Sequence, residues 1–308
     1  MNSIKKQPLV SIITVNYNQS KITCEFLESL KNVSYSELEV FVVDNDSPND
    51  NPDIIKEQFP KITLIKSNKN LGFAGGNNIA IPYCKGKYIL FINNDTEVDN
   101  GFLEPLVELL ESNPKIGMVS PRTQYFHSPN IIQYAGFTPL NLITTRIFSY
   151  GFGEKDVGQF SNTFESGSIF GTAMLVPTEV IKKVGMMSEI FFLYYEEHDW
   201  AAHIKDNDYL IYYQGKSLVL HKESISTIKH SPFQTYYLSR GRILFTRRNT
   251  KGIKKILALL YIYLITTPRI TIGYLVKFKF SLLWAYWRAV WWNILNSSKS
   301  KYEIPLML

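Results

Sequence analysis

The chain has 308 residues, 45% hydrophobic and 19% charged, enough to bury a sizeable core in one large domain or two, which excludes a disordered protein. Its net charge of +6 is uneven: the first 239 residues carry about −6, whereas from Arg240 onward thirteen Lys and Arg face one acid, Glu303, for about +12. A basic appendage on a neutral-to-acidic body is not the even positive coat of a nucleic-acid binder, so no nucleic-acid partner is expected.

The opening MNSIKKQPLV is basic and runs into a strand pattern with no apolar targeting segment or cleavage site, so the catalytic part is expected to be cytoplasmic. Short apolar runs then alternate with helical patterns: LVSIITVN (9–16), a helix over about 20–31, LEVFVVD (38–44), a helix near 52–58, ITLIKS (62–67), a helix near 75–83 and KYILFI (87–92). Strands apolar on both faces and joined by helices predict an α/β fold with a mostly parallel sheet covered on both sides. Ligands of such sheets gather at the carboxyl ends of the strands. VVDNDSPND and INNDTEV put Asp44, Asn45 and Asp46, and Asn93, Asn94 and Asp95, along that edge. A helix at 101–112, a short strand at 116–120 and a loop-rich stretch to 165 follow. Next come FGTAMLVP (170–177), a helix at 178–185, FFLYYEEHDWAAHIK (191–205) and a strand pair, YLIYYQGKSLVLH (209–221). Cys24 and Cys84 lack metal spacing and read as reduced thiols. The one strong compositional break, at about 235–250, divides an expected catalytic domain (1–240) from a basic, aromatic helical region (241–308).

Asp95 follows a buried apolar run, so its carboxylate would project at a strand end, where hard divalent cations and phosphates can be held together. Equally, Asn93, Asn94 and Asp95 are good turn formers, as is DNDSPND. Two such ends in one sheet favour the ligand reading. NLGFAGGNN (70–78) carries glycines at 72, 75 and 76 at a helix start, which would admit an anion or a sugar against the backbone, or simply form a strand-to-helix loop. It lacks the dinucleotide and P-loop glycine spacings. YYEEHDW (194–200) crowds Glu196, Glu197, His198 and Asp199 behind aromatic rings. Neighbouring acids there raise one another's proton affinity and supply a general base, or else they begin an exposed helix favoured by its dipole. His221, ending SLVLH, is either a neutral imidazole ligand or a satisfied core histidine. No nucleophile elbow, HExxH, paired CxxC or kinase signature is present. What remains is a nucleotide-like ligand, a divalent cation and one carboxylate base.

In their order, these motifs resemble glycosyltransferase family 2, with the GT-A (Rossmann-like) fold, and most closely its bacterial rhamnosyltransferase-type branch. The resemblance covers about residues 9–250: VSIITVNYN, VVDNDSPND, NLGFAGGNN, LFINNDTEV at the DxD-like position, GTAMLVPTEVIKKVGMMSEIFFLYYEEHDW with its ED-like pair, and LVLHKESIST. It implies a nucleotide-sugar donor held by Thr14, Asn16, Asp44, Asn45, Gly72, Phe73, Gly76, Asn77, Asn93 and Asn94, with Gly171 and Trp200 on the substrate side. It implies Asp95 and His221 as ligands of Mg2+ or Mn2+, and Glu197 as the base with Glu196 and Asp199 beside it. The DxD-like motif begins with Asn93, and the acidic pair is Glu196–Glu197, which leaves the base open among neighbours. The implied reaction is a single in-line displacement with inversion and no enzyme nucleophile.

Behind YYLSRGRILFTRRN (236–249) lies an apolar run at 256–276, long enough to span a bilayer but interrupted by Pro268 and Arg269. Trp284, Trp287 and Trp291 follow at i, i+3, i+7 with Lys277, Lys279 and Arg288 nearby, the look of interfacial helices against anionic lipid. The favoured reading is a tail lying on the inner face of the cell membrane; a spanning helix, or a hairpin buried in a homo-oligomer, are the alternatives. The expected function is sugar transfer to a lipid-linked saccharide acceptor in cell-surface polysaccharide synthesis. A sugar-1-phosphate nucleotidylyltransferase would show a Gly-rich basic loop after the first strand, where VNYNQSKIT has no glycine and one lysine. A non-catalytic membrane scaffold would have no need of Asp95, Glu197 and His221 together.

Overall fold

The computed structural model describes residues 7–223 and 230–299; the residue 224–227 part of LVLHKESIST, the basic opening and Glu303 lie outside them. The chain begins as expected: β1 (Val10–Asn16), α1 (Ser20–Leu30), β2 (Leu38–Asp44), α2 (Asp53–Gln58), β3 (Thr63–Lys66), α3 (Gly72–Asn78) and β4 (Tyr88–Ile92). It continues through β5 (Thr96–Val98), α4 (Glu104–Ser112), β6 (Ile116–Tyr125), β7 (Ile132–Tyr134), β8 (Thr163–Glu165), β9 (Ala173–Pro177), α5 (Thr178–Val184), α6 (Glu196–Asp206) and β10 (Leu210–His221). Four helices follow, α7 (Pro232–Asn249), α8 (Gly252–Leu260), α9 (Thr267–Val276) and α10 (Phe280–Leu295).

One sheet runs β3-β2-β1-β4-β9-β6-β10-β5, with β7 on β6 and β8 on β10. It is parallel from β3 to β4 and mixed beyond, because β9 enters antiparallel between β4 and β6. Successive residues of a strand face opposite sides, and both sides are dry. Ile12, Val42 and Leu90 pack with Phe26 of α1, while Ile13, Val43 and Phe91 pack with Ala74, Val180 and Trp200 of α3, α5 and α6. Cys24 and Cys84 are buried and free, and burial pushes the Cys84 thiol up to about 12.

Residues 209–221 do not form a strand pair. They form one twelve-residue strand, both halves of which pair in parallel with β6. The register slips between Gln214, opposite Pro121, and Leu218, opposite Arg122, so residues 215–217 bulge out. Gly215 is required there, since a Cβ would lie 2.1 Å from the Phe160 carbonyl oxygen. The slip carries the strand far enough for His221 to pair with Thr96 of β5.

The segment around Pro268 stays helical. A π-helical turn, Tyr261–Thr266, joins α8 to α9 in one helix, Gly252–Val276. Pro268 cannot donate to the ladder, and the wider turn just before it absorbs the loss; the Thr267 hydroxyl donates to Ile262 O at 3.0 Å. α10 then folds back along α7, where Ile243, Ile262, Tyr286 and Val290 make a small core and Asn293 donates to Arg240 O at 3.1 Å.

Candidate active site

The carboxyl ends of β1, β2 and β4 open into a cavity of about 420 Å³. Beneath it, Asn16 donates to Asp44 Oδ1 at 2.9 Å and accepts from the Thr23 hydroxyl at 2.9 Å, and Asn94 donates to the same hydroxyl at 2.9 Å. Asp44 also accepts from the Ser47 hydroxyl at 2.6 Å. Asn45 accepts from Leu71 N–H at 2.9 Å and donates to Gly72 O at 3.0 Å, stapling β2 to the loop before α3. Gly72 has φ +71°, and a Cβ on it would lie 2.1 Å from Phe192 O, so no other residue fits. Phe73 N–H donates to that same carbonyl at 2.7 Å, tying this loop to the segment before α6.

Asp95 and His221, both 7% exposed, meet on one wall. His221 Nδ1 lies 2.8 Å from Gln133 Oε1 and its Nε2 lies 3.1 Å from Asp95 Oδ1. With Nδ1–H donated to Gln133 Oε1, Nε2 faces the Asp95 carboxylate, a pair of atoms that can share a proton or a cation. Imidazole nitrogen and carboxylate oxygen are both suitable donors to a divalent cation. Among the described residues no cluster of three or more His, Cys, Asp or Glu suits a metal ion.

Across the cavity, α6 presents its first turn. Glu196 is 2% exposed and its Oε2 has no hydrogen-bond partner among the described residues. Burial first, and then the Glu197 carboxylate beside it, raise its proton affinity well above the usual carboxylate range. Glu196 is therefore the acid drawn toward its protonated form, and beside it the Glu197 side chain is 16% exposed. Glu197 lies against Gly171, and its Oε1 is 3.9 Å from His198 Nε2. His198 Nδ1 in turn lies 2.8 Å from Ser168 Oγ.

Of the residues singled out in the sequence, Asn45, Gly72, Phe73, Asn77, Asn93, Asn94, Asp95, Gly171, Glu196, Glu197 and His221 line the cavity. Thr14, Asn16, Asp44 and Gly76 do not; they lie in the supporting layer, where Thr14 Oγ1 is buried with no hydrogen-bond partner among the described residues and Gly76 sits against Val15. Asp199 and Trp200 do not reach the cavity either. Helical geometry turns them away from Glu197: Trp200 is fully buried and donates Nε1–H to Gly185 O at 2.9 Å. Asp199, also fully buried, accepts from Arg248 Nε at 2.8 Å, Arg248 Nη2 at 3.0 Å and Asn249 at 2.7 Å. Its role is to fasten α7 to α6. Asp199→Asn is expected to cost about 3 kcal/mol by taking from the buried Arg248 guanidinium the carboxylate that accepts from its Nε and Nη2, read as an earlier urea midpoint, with little change in transfer per folded molecule.

Sequence reasoning missed Gln133, Phe192, Tyr194, Phe233 and Gln234, which also line the cavity. Gln133 sits on a three-residue strand inside the loop-rich stretch and carried no signal.

Residues 11–176 match the family described as glycosyl transferase family 2, more than half of the chain. The chain belongs to glycosyl transferase family 2. This family 2 glycosyltransferase is 27% identical over 248 residues to the low-salt glycan biosynthesis hexosyltransferase Agl10 of Haloferax volcanii, covering 76% of this chain and 74% of that protein. It is 25% identical over 206 residues to the dTDP-rhamnosyl transferase RfbF of Shigella flexneri, covering 61% and 64%. Other relatives are matched only in part, one over 15% of its length. The mannosyltransferase PcManGT of Pyrobaculum calidifontis, solved with GDP-Man and Mn2+, has the same GT-A fold at TM-score 0.58 and 16% identity, covering 95% of this chain and 77% of that one. Family membership removes the nucleotidylyltransferase alternative.

Proposed function

We propose that this glycosyltransferase moves a sugar from a UDP- or dTDP-sugar to a hydroxyl of a lipid-linked saccharide, with inversion at the anomeric carbon, in cell-surface polysaccharide synthesis. The observation that carries the reading is one cavity with Asp95 and His221 on one wall and Glu197 on another. Glu197 would take the proton of the acceptor hydroxyl, while protonated Glu196 keeps a second negative charge out of the site. Gln133 would hold the His221 ring and its tautomer. Asp95 and His221 would hold Mg2+ or Mn2+, which when bound supplies positive charge for the departing nucleoside diphosphate. No side chain is needed as a nucleophile. The diphosphate donor draws support from relatives named for dTDP-rhamnosyl transfer and from a like fold solved with GDP-Man and Mn2+. The test is a thermal-shift panel of UDP-, dTDP- and GDP-sugars with and without Mn2+. A donor at 100 times its Kd should add about 2.7 kcal/mol, and a chain indifferent to all of them would overturn the reading.

The lipid-linked acceptor rests on the tail. Gly252–Val276 is the one helix among the described residues long and apolar enough to cross a bilayer. Leu264, Val276, Trp284 and Leu295 are each at least two-thirds exposed, and Lys254, Arg269, Lys277, Lys279 and Arg288 are exposed among them. Trp287 instead packs inward against the α7–α10 core. We read α8 to α10 as lying on an anionic cytoplasmic membrane face. Full-length protein is expected to float with anionic liposomes and to be partly released by salt, because surface attraction is screened. Trp284→Ser with Trp291→Ser should weaken flotation several-fold. Complete resistance to salt and alkaline carbonate would favour a spanning helix, and indifference to liposomes would remove the membrane assignment.

A further inference from the structure

The segment leading into α6 runs through backbone that side-chain-bearing residues rarely adopt. Phe192 (φ +65°), Tyr194 (φ +65°) and Tyr195 (φ +78°) are all left-handed, and none is Gly, Asn or Asp. Such a run persists only where its surroundings over-determine it. On one side it is held by Phe73 N–H, which donates to Phe192 O. On the other side stands α7. Arg240 donates from Nη2 to Ile190 O at 2.8 Å and to Phe191 O, the two carbonyls just before the left-handed run. Its guanidinium is 7% exposed and lies over the rings of Trp292 at 4.7 Å and Tyr237 at 4.9 Å. Tyr237 stacks in turn on Phe192, with ring centroids 5.1 Å apart. The next residue, Gly241, sits so close that a Cβ would lie 2.9 Å from Tyr194 O.

Arg240 is a buried cation whose Nη2 is turned to two successive backbone carbonyls, at the point where the chain turns to deliver Glu196 and Glu197. We infer that Arg240 is a positioning residue for sugar transfer: its Nη2, held in place by the rings stacked on the guanidinium, fixes the turn that presents Glu197 to the cavity. The inference rests on the reading of Glu197 as the base. It also makes α10 a part of the site's support, because Trp292 covers the guanidinium and Asn293 bonds the Arg240 carbonyl. Lysine keeps the charge but not the planar fork or the stacking surface.

The test compares Arg240→Lys and Arg240→Gln with Glu197→Gln and Arg247→Gln. Arg247 ties α7 to Asn293 and Asn296 of the α10 end without touching the turn. The donor is the nucleotide sugar that gives the largest thermal shift, the acceptor is a synthetic diphosphate lipid bearing one sugar, and turnover is read as release of nucleoside diphosphate. Both Arg240 variants are expected to lose on the order of 10²-fold in kcat, the effect of a small misplacement of a reacting group. Donor KM should stay within about threefold, and amide exchange over residues 190–197 should accelerate, together with the Phe73 N–H that Phe192 O holds, while residues 38–44 of β2 stay as they were. Should Arg240→Gln fail to fold, Arg240→Lys decides. Unchanged kcat in Arg240→Lys, a loss matched by donor KM, or an equal loss in Arg247→Gln overturns the inference. If Glu197→Gln retains full kcat, the base assignment falls first and the inference with it, a result the Arg240 variants cannot mimic.

Discussion

Glu197→Gln is expected to lower transfer by roughly two to four decades while nucleotide-sugar binding stays within about threefold. The amide keeps the size and the contact with Gly171 but cannot accept a proton at neutral pH. Two carboxylates begin α6, and burial separates them. Glu196, almost wholly enclosed and raised in proton affinity by that enclosure and by its neighbour, is drawn toward the neutral form that glutamine imitates, so Glu196→Gln should cost less than tenfold. The measurement is kcat and donor KM for both variants under identical conditions. If Glu196→Gln loses more activity than Glu197→Gln, the base lies one residue earlier than the burial argument requires.

Asp95→Ala should abolish metal-dependent binding of nucleoside diphosphate, with a loss of transfer again on the order of two to four decades. The carboxylate and His221 Nε2 stand 3.1 Å apart and are nearly enclosed, so removal of one leaves a single donor where two converge. Calorimetric titration with UDP and with dTDP, with and without Mn2+, reads the effect directly. His221→Ala should behave alike, and Gln133→Ala should cost less, on the order of 10–100-fold in metal affinity, because it only orients the ring. Unchanged metal dependence in Asp95→Ala would move the cation elsewhere.

Much of this was legible because the strands that carry the cavity floor are short, apolar on both faces and end in polar turns. β1, β2 and β4 lie within a residue of their expected bounds, and Asn45, Asn93, Asn94 and Asp95 reach the cavity as strand ends should. Acids adjacent in sequence were harder to separate. Nothing local distinguishes Glu197 from Asp199, because the difference is made by Arg248, 49 residues away. Trp200 read as a substrate contact because it adjoins the acidic pair, yet the helical repeat turns it into the core against Phe91. β5, β7 and β8 are three residues each, too short for a periodic signal, and Gln133 was hidden with one of them. The last helix of the tail returns to α7 through contacts between residues more than forty positions apart that no local pattern encodes.

The slip in β10 makes the pairing of Asp95 with His221 a matter of counting. Side chains on a strand alternate between the two faces, so parity alone decides which face a residue shows. From Gln214 onward, residues 215–217 intervene before pairing with β6 resumes at Leu218. Insertion or deletion of one residue there would leave every side chain of the site chemically intact while turning the imidazole to the far side of the sheet. Length is thus constrained at those three positions beside the identity of Gly215, and a shift of two residues would restore the facing direction but move the histidine along the strand by about 7 Å.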